Sequence, residues 1–84
     1  MIKVTLITTK GCSHCTEAKK ILNKLKPEYE IQIEEIDAES DKGQELIQKH
    51  SIMSSPGILI NDKFFSMGGV TENQLRDKFN QLKK

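Results

Sequence analysis

The sequence lacks features that define whole classes of protein. It has no tryptophan, only two prolines and only two cysteines in 84 residues, and a chain this short holds one domain with a modest core. Neither charge dominates, since 13 Lys and Arg against 12 Asp and Glu leave a formal charge of +1. No global field therefore attracts nucleic acid or an anionic membrane surface. We expect one domain over residues 1–84 that binds neither nucleic acid nor membrane.

Long apolar runs are missing as well. Lys3, Thr5, Thr8 and Thr9 interrupt the apolar N-terminal stretch, unlike the core of a signal peptide, and no run reaches the length of a membrane span. We therefore expect a soluble, cytoplasmic protein. Small secreted domains carry several disulfides, whereas one closely spaced cysteine pair could hardly staple a fold. In a reducing compartment such a pair is typical of catalysis or of metal binding.

The two cysteines frame a four-residue motif, Cys12-Ser13-His14-Cys15. The motif stands between a short β-branched run and a long amphipathic run, which places both thiols at a strand-to-helix turn. The N-terminus of a helix presents unpaired N–H groups and partial positive charge, and these favour a thiolate at the first cysteine. The motif therefore indicates redox chemistry.

Apolar periodicity predicts the first three elements. Alternation over residues 2–8 predicts a strand, and the helical spacing of apolar residues after Cys15 predicts a helix that stops at Pro27. A second strand is predicted from Tyr29, with a bulge or the strand end at Glu35, where the alternation slips by one residue.

The second half of the chain is predicted to contain a helix, a hairpin and a last helix. Ser40 caps a helix over residues 41–50, whose first turn Gly43 weakens. A hairpin covers residues 58–67, with its turn at 61–63. The aromatic residues expected in the core are Phe64, Phe65 and Phe79.

The last helix has the clearest start signal. Thr71 and Gln74 form a Thr-x-x-Gln capping box, and Val70 and Leu75 occupy the flanking hydrophobic staple positions. The element order is then βαβαββα, an α/β arrangement whose first two strands are parallel across a right-handed crossover.

With this order and Cys12-Ser13-His14-Cys15 after the first strand, the chain resembles the thioredoxin fold in its minimal form, as in glutaredoxins and small glutaredoxin-like thioredoxins. Ser55-Pro56 stands at the family's cis-proline loop, and Gly68-Gly69 precedes the last helix. The resemblance spans nearly the whole chain. It implies a four-stranded mixed sheet flanked by three helices and a cis Ser55–Pro56 peptide, at which residue 55 pairs with an extended substrate.

The resemblance also implies roles for the two cysteines. Cys12 is the exposed nucleophile that attacks a substrate disulfide, and Cys15 is the shielded thiol that resolves the mixed disulfide. Cys15 also stands at the head of the apolar stripe of the helix, which agrees independently. The implied activity is that of a thiol-disulfide oxidoreductase acting as a monomer on protein or glutathione-mixed disulfides, with no bound cofactor.

Two neighbouring residues are candidate modulators of Cys12. A helix dipole alone lowers a thiol pKa from about 8.5 to about 7. A protonated His14 in the spacer would favour the thiolate further and make the pair less reducing than thioredoxin, unless His14 is simply solvated. Lys10 corresponds to a lysine that in glutaredoxins contacts glutathione. Gly69 and Thr71 frame the last helix N-terminus, where a substrate carboxylate could dock.

Three questions stay open on the sequence alone. The electron donor is either glutathione or a thioredoxin-reductase-type protein, because Gly11 replaces the tryptophan of thioredoxins proper while His14 replaces the aromatic residue of glutaredoxins. A Cu(I) or Zn(II) module is a rival, although such domains run βαββαβ and carry Met where Lys10 stands. A thioredoxin-fold interaction domain with weak redox activity is a third possibility.

Overall fold

The computed structural model describes residues 2–53 and 55–82 and confirms the predicted order of elements. The strands and helices are β1 (Ile2–Thr8), α1 (Ser13–Tyr29), β2 (Ile31–Asp37), α2 (Asp41–His50), β3 (Gly57–Ile60), β4 (Lys63–Met67) and α3 (Glu72–Leu82). The predicted α/β architecture, a four-stranded mixed sheet with three helices, is confirmed.

The four strands lie in the order β2-β1-β3-β4. β1 pairs in parallel with β2 and antiparallel with β3, and β3 pairs antiparallel with β4. Val4, Leu6 and Ile7 of β1 are almost fully buried, because helices cover both faces of the sheet. A central, largely buried strand therefore delivers the chain to the cysteine motif.

The helices divide the core into two parts. Apolar residues of α1 and α3, including Leu22 and Phe79, pack with Val4 and Leu6 on one face of the sheet. Ile7 and Leu59 face the other side, where the partly buried residues of α2 cover them. Burial on both sides holds the end of β1 in place, since each face contributes about 25 cal/mol per Å² of apolar area removed from water.

The prediction that α1 stops at Pro27 was wrong. The helix continues to Tyr29, and Glu30 ends it in the left-handed region at φ 52°. Pro27 lies in the last turn, where its missing N–H costs one hydrogen bond. Packing of the Tyr29 ring on Phe79, with centroids 5.4 Å apart, offsets that loss.

The predicted interruption of the second strand at Glu35 was also wrong, and Tyr29 belongs to the helix. β2 keeps one register with β1, from Ile2 opposite Ile31 to Thr8 opposite Asp37. The slip in the apolar pattern marks a change of buried face, since successive side chains of a strand point to opposite sides. The irregular pairing lies instead between β3 and β4, at residues 58 and 59.

The hairpin forms as predicted, with a shorter turn. Asn61 and Asp62 both have positive φ, 52° and 66°, and Lys63 pairs with Ile60, as in the two-residue turns that match strand twist. The predicted burial of Phe64 was wrong, because this residue is 44% exposed on the edge strand. Phe65 is partly buried against the core and Phe79 is fully buried, as predicted.

Both predicted helix caps are confirmed. Ser40 Oγ accepts a hydrogen bond from the backbone N–H of Gly43 at 3.0 Å. The backbone N–H of Thr71 donates to Gln74 Oε1 at 3.0 Å, and the Gln74 N–H donates to Thr71 Oγ1 at 3.2 Å. Within the described ranges, no helix combines the length and apolar character needed to cross a membrane.

We expect Thr71→Ala to lower the free energy of unfolding by about 1 kcal/mol, because it leaves the Gln74 N–H without its capping oxygen. Thr71→Ser keeps the hydroxyl and serves as the matched control. Urea unfolding followed by circular dichroism measures both variants. Equal stability of Thr71→Ala and Thr71→Ser would show that the capping box contributes nothing.

Candidate active site

Cys12 is the N-cap of α1. Gly11 turns the chain at the end of β1 with φ 69°, and Cys12 then adopts an extended conformation before the first helical residue. Its Sγ accepts a hydrogen bond from the backbone N–H of Cys15 at 3.1 Å. A sulfur thus occupies the position that a serine or aspartate oxygen holds in most N-caps, where N–H groups stabilise negative charge.

The two thiols differ in exposure. Cys15 is 5% exposed and lies in the core side of α1, whereas Cys12 is only half-buried. An incoming disulfide can therefore reach Cys12, and Cys15 is shielded. This asymmetry agrees with the predicted roles of nucleophile and resolving thiol.

The pKa values of the two thiols move in opposite directions. A hydrogen bond with the Cys15 side chain lowers the pKa of Cys12 most, helped by the Cys15 backbone and by the hydroxyls of Ser55 and Thr9, while partial burial opposes these contacts. Burial raises the pKa of Cys15, and its contact with Cys12 raises it further. Because the groups interact, their protons leave in two steps that belong to the pair.

The cis-proline loop lies beside Cys12. The Ser55–Pro56 peptide is cis, as the resemblance implied, and Pro56 is fully buried. The Pro56 carbonyl accepts a hydrogen bond from the Gly68 N–H at 3.1 Å, and Ser55 Oγ lies 3.8 Å from Cys12 Sγ. Residues far apart in the chain thus meet at the nucleophile.

Among the described residues, no hydrogen bond or ion pair joins His14 or Lys10 to the sulfur of Cys12. The His14 side chain is 65% exposed and its Nδ1 lies 3.9 Å from Glu17 Oε2. A Cβ added at Gly69 would lie 3.9 Å from the same nitrogen, so Gly69 flanks the spacer. Lys10 is exposed beside an adjoining cleft. The effect of His14 on Cys12 stays a prediction, without a direct contact to carry it.

Thr71 and the two methionines border the site. Thr71 serves α3 as its cap, as described above, and its role toward a substrate carboxylate stays a prediction. Met53 is 85% exposed and Met67 41% exposed, and the Met53 N–H donates to Met67 Sδ at 3.3 Å. Exposed thioether side chains suit surfaces that adapt to different apolar partners.

One cavity opens over the thiols and a second lies near them. A cleft of about 420 Å³ opens over Cys12 and Cys15 and extends to the Lys19–Glu35 ion pair, 3.4 Å between Nζ and Oε1. A smaller apolar pocket of about 200 Å³ begins at Ser55. Its lining residues are Ile7, Thr9, Ala38, Ile47, Ile52, Met53, Ser55 and Gly57. The cleft therefore gives a substrate access to the thiols, and the apolar pocket lies beside the Ser55 hydroxyl that neighbours Cys12 Sγ.

Thr9 is the site residue that sequence analysis missed. Its Oγ1 lies 3.1 Å from Ser55 Oγ, and its side chain contributes slightly to the lowered pKa of Cys12. A threonine at the end of a strand has no distinguishing sequence signal. Only the pairing of β1 with β3 shows which residue lies opposite Ser55.

Proteins hold metal ions in clusters of ligating side chains. Across residues 2–53 and 55–82, no three His, Cys, Asp or Glu side chains converge on a point where they could share an ion. The βαβαββα order also differs from the βαββαβ order of the small metal-carrying domains weighed above.

Known proteins share this arrangement. The model of the thioredoxin domain family matches residues 1–80. A probable thioredoxin from Archaeoglobus fulgidus is 29% identical over 83 residues, which cover 99% of this chain and 91% of that protein.

Solved structures also superpose on the chain. A thioredoxin-like protein from Clostridium perfringens does so with a TM-score of 0.80 and 21% identity, over 98% of this chain and 71% of that one. Thioredoxin O2 from Arabidopsis thaliana superposes with a TM-score of 0.76 and 18% identity, over 100% of this chain and 76% of that one. At these identities the likeness shows a shared fold.

Proposed function

Since the chain belongs to the thioredoxin domain family, we propose that it is a dithiol oxidoreductase that reduces or exchanges the disulfides of other proteins through Cys12 and Cys15. The observation that carries this proposal is the pair of thiols at the start of α1, one accessible with a lowered pKa and one buried with a raised pKa. Such a division suits a nucleophile and a resolving thiol. The name of the curated relative, probable thioredoxin, supports the same activity.

In the first step the Cys12 thiolate attacks one sulfur of the substrate disulfide. The Cys12–substrate bond forms, the substrate S–S bond breaks, and the departing sulfur takes up a proton. In the second step Cys15 loses its proton and attacks Cys12 Sγ, so that a Cys12–Cys15 disulfide forms and the second substrate sulfur leaves as a thiol. Two electrons and two protons pass to the substrate, and an external dithiol or pair of thiols must restore the reduced protein.

Protein substrates fit the surroundings of Cys12 better than a small charged thiol does. The apolar pocket beside Ser55 and the exposed side chains of Met53 and Met67 offer contacts for a polypeptide that flanks a disulfide. We therefore favour protein disulfides as substrates, with a monomer in a reducing compartment and no bound cofactor.

The test is reduction of insulin with dithiothreitol as the electron donor, beside reduction of a glutathione-mixed disulfide with glutathione as the donor. We expect insulin to be reduced faster than by dithiothreitol alone and Cys12→Ser to abolish that gain. Faster turnover of the glutathione substrate would assign the chain to a glutathione-dependent route. Activity equal to that of Cys12→Ser on both substrates would contradict the proposal and favour an interaction domain, and stoichiometric metal after reducing purification would favour the metal module.

A further inference from the structure

Two hydroxyl groups from separate segments of the chain meet at the nucleophilic sulfur. Ser55 Oγ lies 3.8 Å from Cys12 Sγ and 3.1 Å from Thr9 Oγ1. Ser55 Oγ thus lies between Thr9 Oγ1 and the sulfur. The three polar atoms therefore form one cluster at the point where a substrate disulfide must arrive.

The pairing of two strands brings these hydroxyls together. β1 and β3 are antiparallel, with Ile7 opposite Gly57. The same register, extended by two residues on each strand, puts Thr9 opposite Ser55, and side chains opposite each other in an antiparallel pair lie within contact distance. The Thr9 backbone also acts to lower the pKa of Cys15, against the larger effect of burial, so this segment lies beside the thiol pair.

We propose that Thr9 is a positioning residue, whose hydroxyl donates to Ser55 Oγ so that the Ser55 hydroxyl points its proton at the Cys12 thiolate. The inference rests on the proposed function and deepens it, because it names the groups that prepare the nucleophile. The groups that lower the pKa of Cys12 are uncharged, namely the Cys15 side chain and backbone and the side chains of Ser55 and Thr9, and of the two hydroxyls Ser55 is the one that donates to the sulfur.

Proton counting explains why the order of donation matters. A hydroxyl carries one proton and can accept two hydrogen bonds. If Thr9 donates to Ser55, the Ser55 proton is left for the sulfur, and each bond polarises the next. The bond to sulfur is strong only when the sulfur is charged, so the relay stabilises the thiolate over the thiol. If both hydroxyls instead donate to the sulfur, neither positions the other, and their effects are independent.

The relay has a consequence for the redox balance of the pair. Only the reduced protein contains a thiolate, so stabilising it favours the dithiol over the Cys12–Cys15 disulfide. The disulfide becomes a stronger oxidant. We expect variants without the relay to hold their disulfide more firmly against a glutathione buffer.

The test is a double-mutant cycle with Thr9→Val and Ser55→Ala. The apparent pKa of Cys12 is read from the pH dependence of alkylation by iodoacetamide, with mass spectrometry to assign the labelled cysteine. Each single variant should shift the profile to higher pH and lower the thiolate fraction at neutral pH about threefold or more. The rate at high pH, where every variant is fully ionised, should not change. The double variant should shift no further than Ser55→Ala alone.

Conservative replacements and a nearby hydroxyl serve as controls. Thr9→Ser and Ser55→Thr keep the hydroxyls and should restore the wild-type profile, whereas a packing role for the methyl group would not be restored by Thr9→Ser. Thr16→Val removes a hydroxyl that donates to the Cys12 carbonyl at 3.3 Å, and it should leave the profile in place. Circular dichroism shows that each variant is folded.

Two outcomes would overturn the inference. An unchanged profile in Thr9→Val denies Thr9 any part in preparing the thiolate, and additive shifts in the double variant deny that it acts through Ser55. Both are distinguishable from failure of the proposed function, which appears in wild-type protein as inactivity toward insulin and glutathione-mixed disulfide alike.

Discussion

Cys15→Ser is expected to open substrate disulfides at Cys12 and then to remain joined to them. In this variant Cys12 keeps its position as the N-cap of α1 and its neighbouring hydroxyls, so its thiolate still attacks the substrate disulfide. The resolving step is lost, because no buried thiol stands next to the mixed disulfide. A solution thiol must replace an intramolecular partner, and well-oriented intramolecular groups act at effective concentrations far above those of any solute. Turnover on protein disulfides should therefore fall by about 10³-fold or more.

Serine is the right replacement for this purpose. The largest contact that lowers the pKa of Cys12 is its hydrogen bond with the Cys15 side chain, and a serine hydroxyl can still donate that bond. Cys15→Ala removes the donor, so its Cys12 should titrate at higher pH than in Cys15→Ser. Comparing the two variants separates the resolving role of Cys15 from its effect on the nucleophile.

Intact mass spectrometry after a short incubation with insulin measures the trapped species. We expect a covalent adduct with Cys15→Ser, no adduct with Cys12→Ser, and none with the wild-type protein at the same time point. Full turnover of insulin by Cys15→Ser would contradict the dithiol mechanism. Retained activity on glutathionylated substrates alone would support a one-thiol route with glutathione.

The parts of the site that could be predicted from sequence are those with local signals. Cys12 and Cys15 lie in one motif at a strand-to-helix turn, and Ser55-Pro56 is a dipeptide with a known counterpart in the family. Thr9 has no such signal, because its role depends on a strand pair that joins segments 46 residues apart. Partners brought together by sheet register become visible only once the register is known.

Local rules failed where packing outweighed them. Pro27 predicts the end of α1, and the slip at Glu35 predicts an interruption of β2. Both predictions were wrong because they consider one segment of the chain at a time and leave out its packing against other elements. The ring of Tyr29 packs on Phe79 of α3, and this contact offsets the cost of proline in the last turn of α1. Because helices cover both faces of the sheet, β2 can bury side chains that point to either face and still keep one register with β1.

Gly43 shows the same contrast for stability. On sequence it weakens the first turn of α2, since glycine in a helix costs about 1 kcal/mol relative to alanine. In the structure it is buried where α2 crosses the end of β2. A Cβ at this position would collide with the carbonyl oxygen of Asp37 and stand 3.0 Å from the Ala38 Cα. The missing side chain is what allows helix and strand to approach.

Gly43→Ala is therefore expected to destabilise the protein, whereas helix propensity alone predicts that it stabilises α2. The Asp37 carbonyl cannot easily withdraw, because it accepts hydrogen bonds from both the N–H and the hydroxyl of Ser40, at 3.0 and 2.6 Å. Forcing extra volume into packed structure costs about 1 to 3 kcal/mol, and here backbone must move. We expect the free energy of unfolding to fall by about 2 to 3 kcal/mol, which is a large share of the roughly 5 kcal/mol by which a small domain is stable.

Urea unfolding of Gly43→Ala beside Gln48→Ala decides the sign. Gln48 is exposed on the same helix, so its replacement reports helix propensity with no collision and should change the free energy of unfolding by less than about 0.5 kcal/mol. A Gly43→Ala protein as stable as wild type would mean that α2 can move away from β2 without loss. Such a movement would also be transmitted to the active site. The Ala38 N–H donates a hydrogen bond to the Thr8 carbonyl at 2.8 Å, and the next residue, Thr9, contacts Ser55 beside the nucleophile.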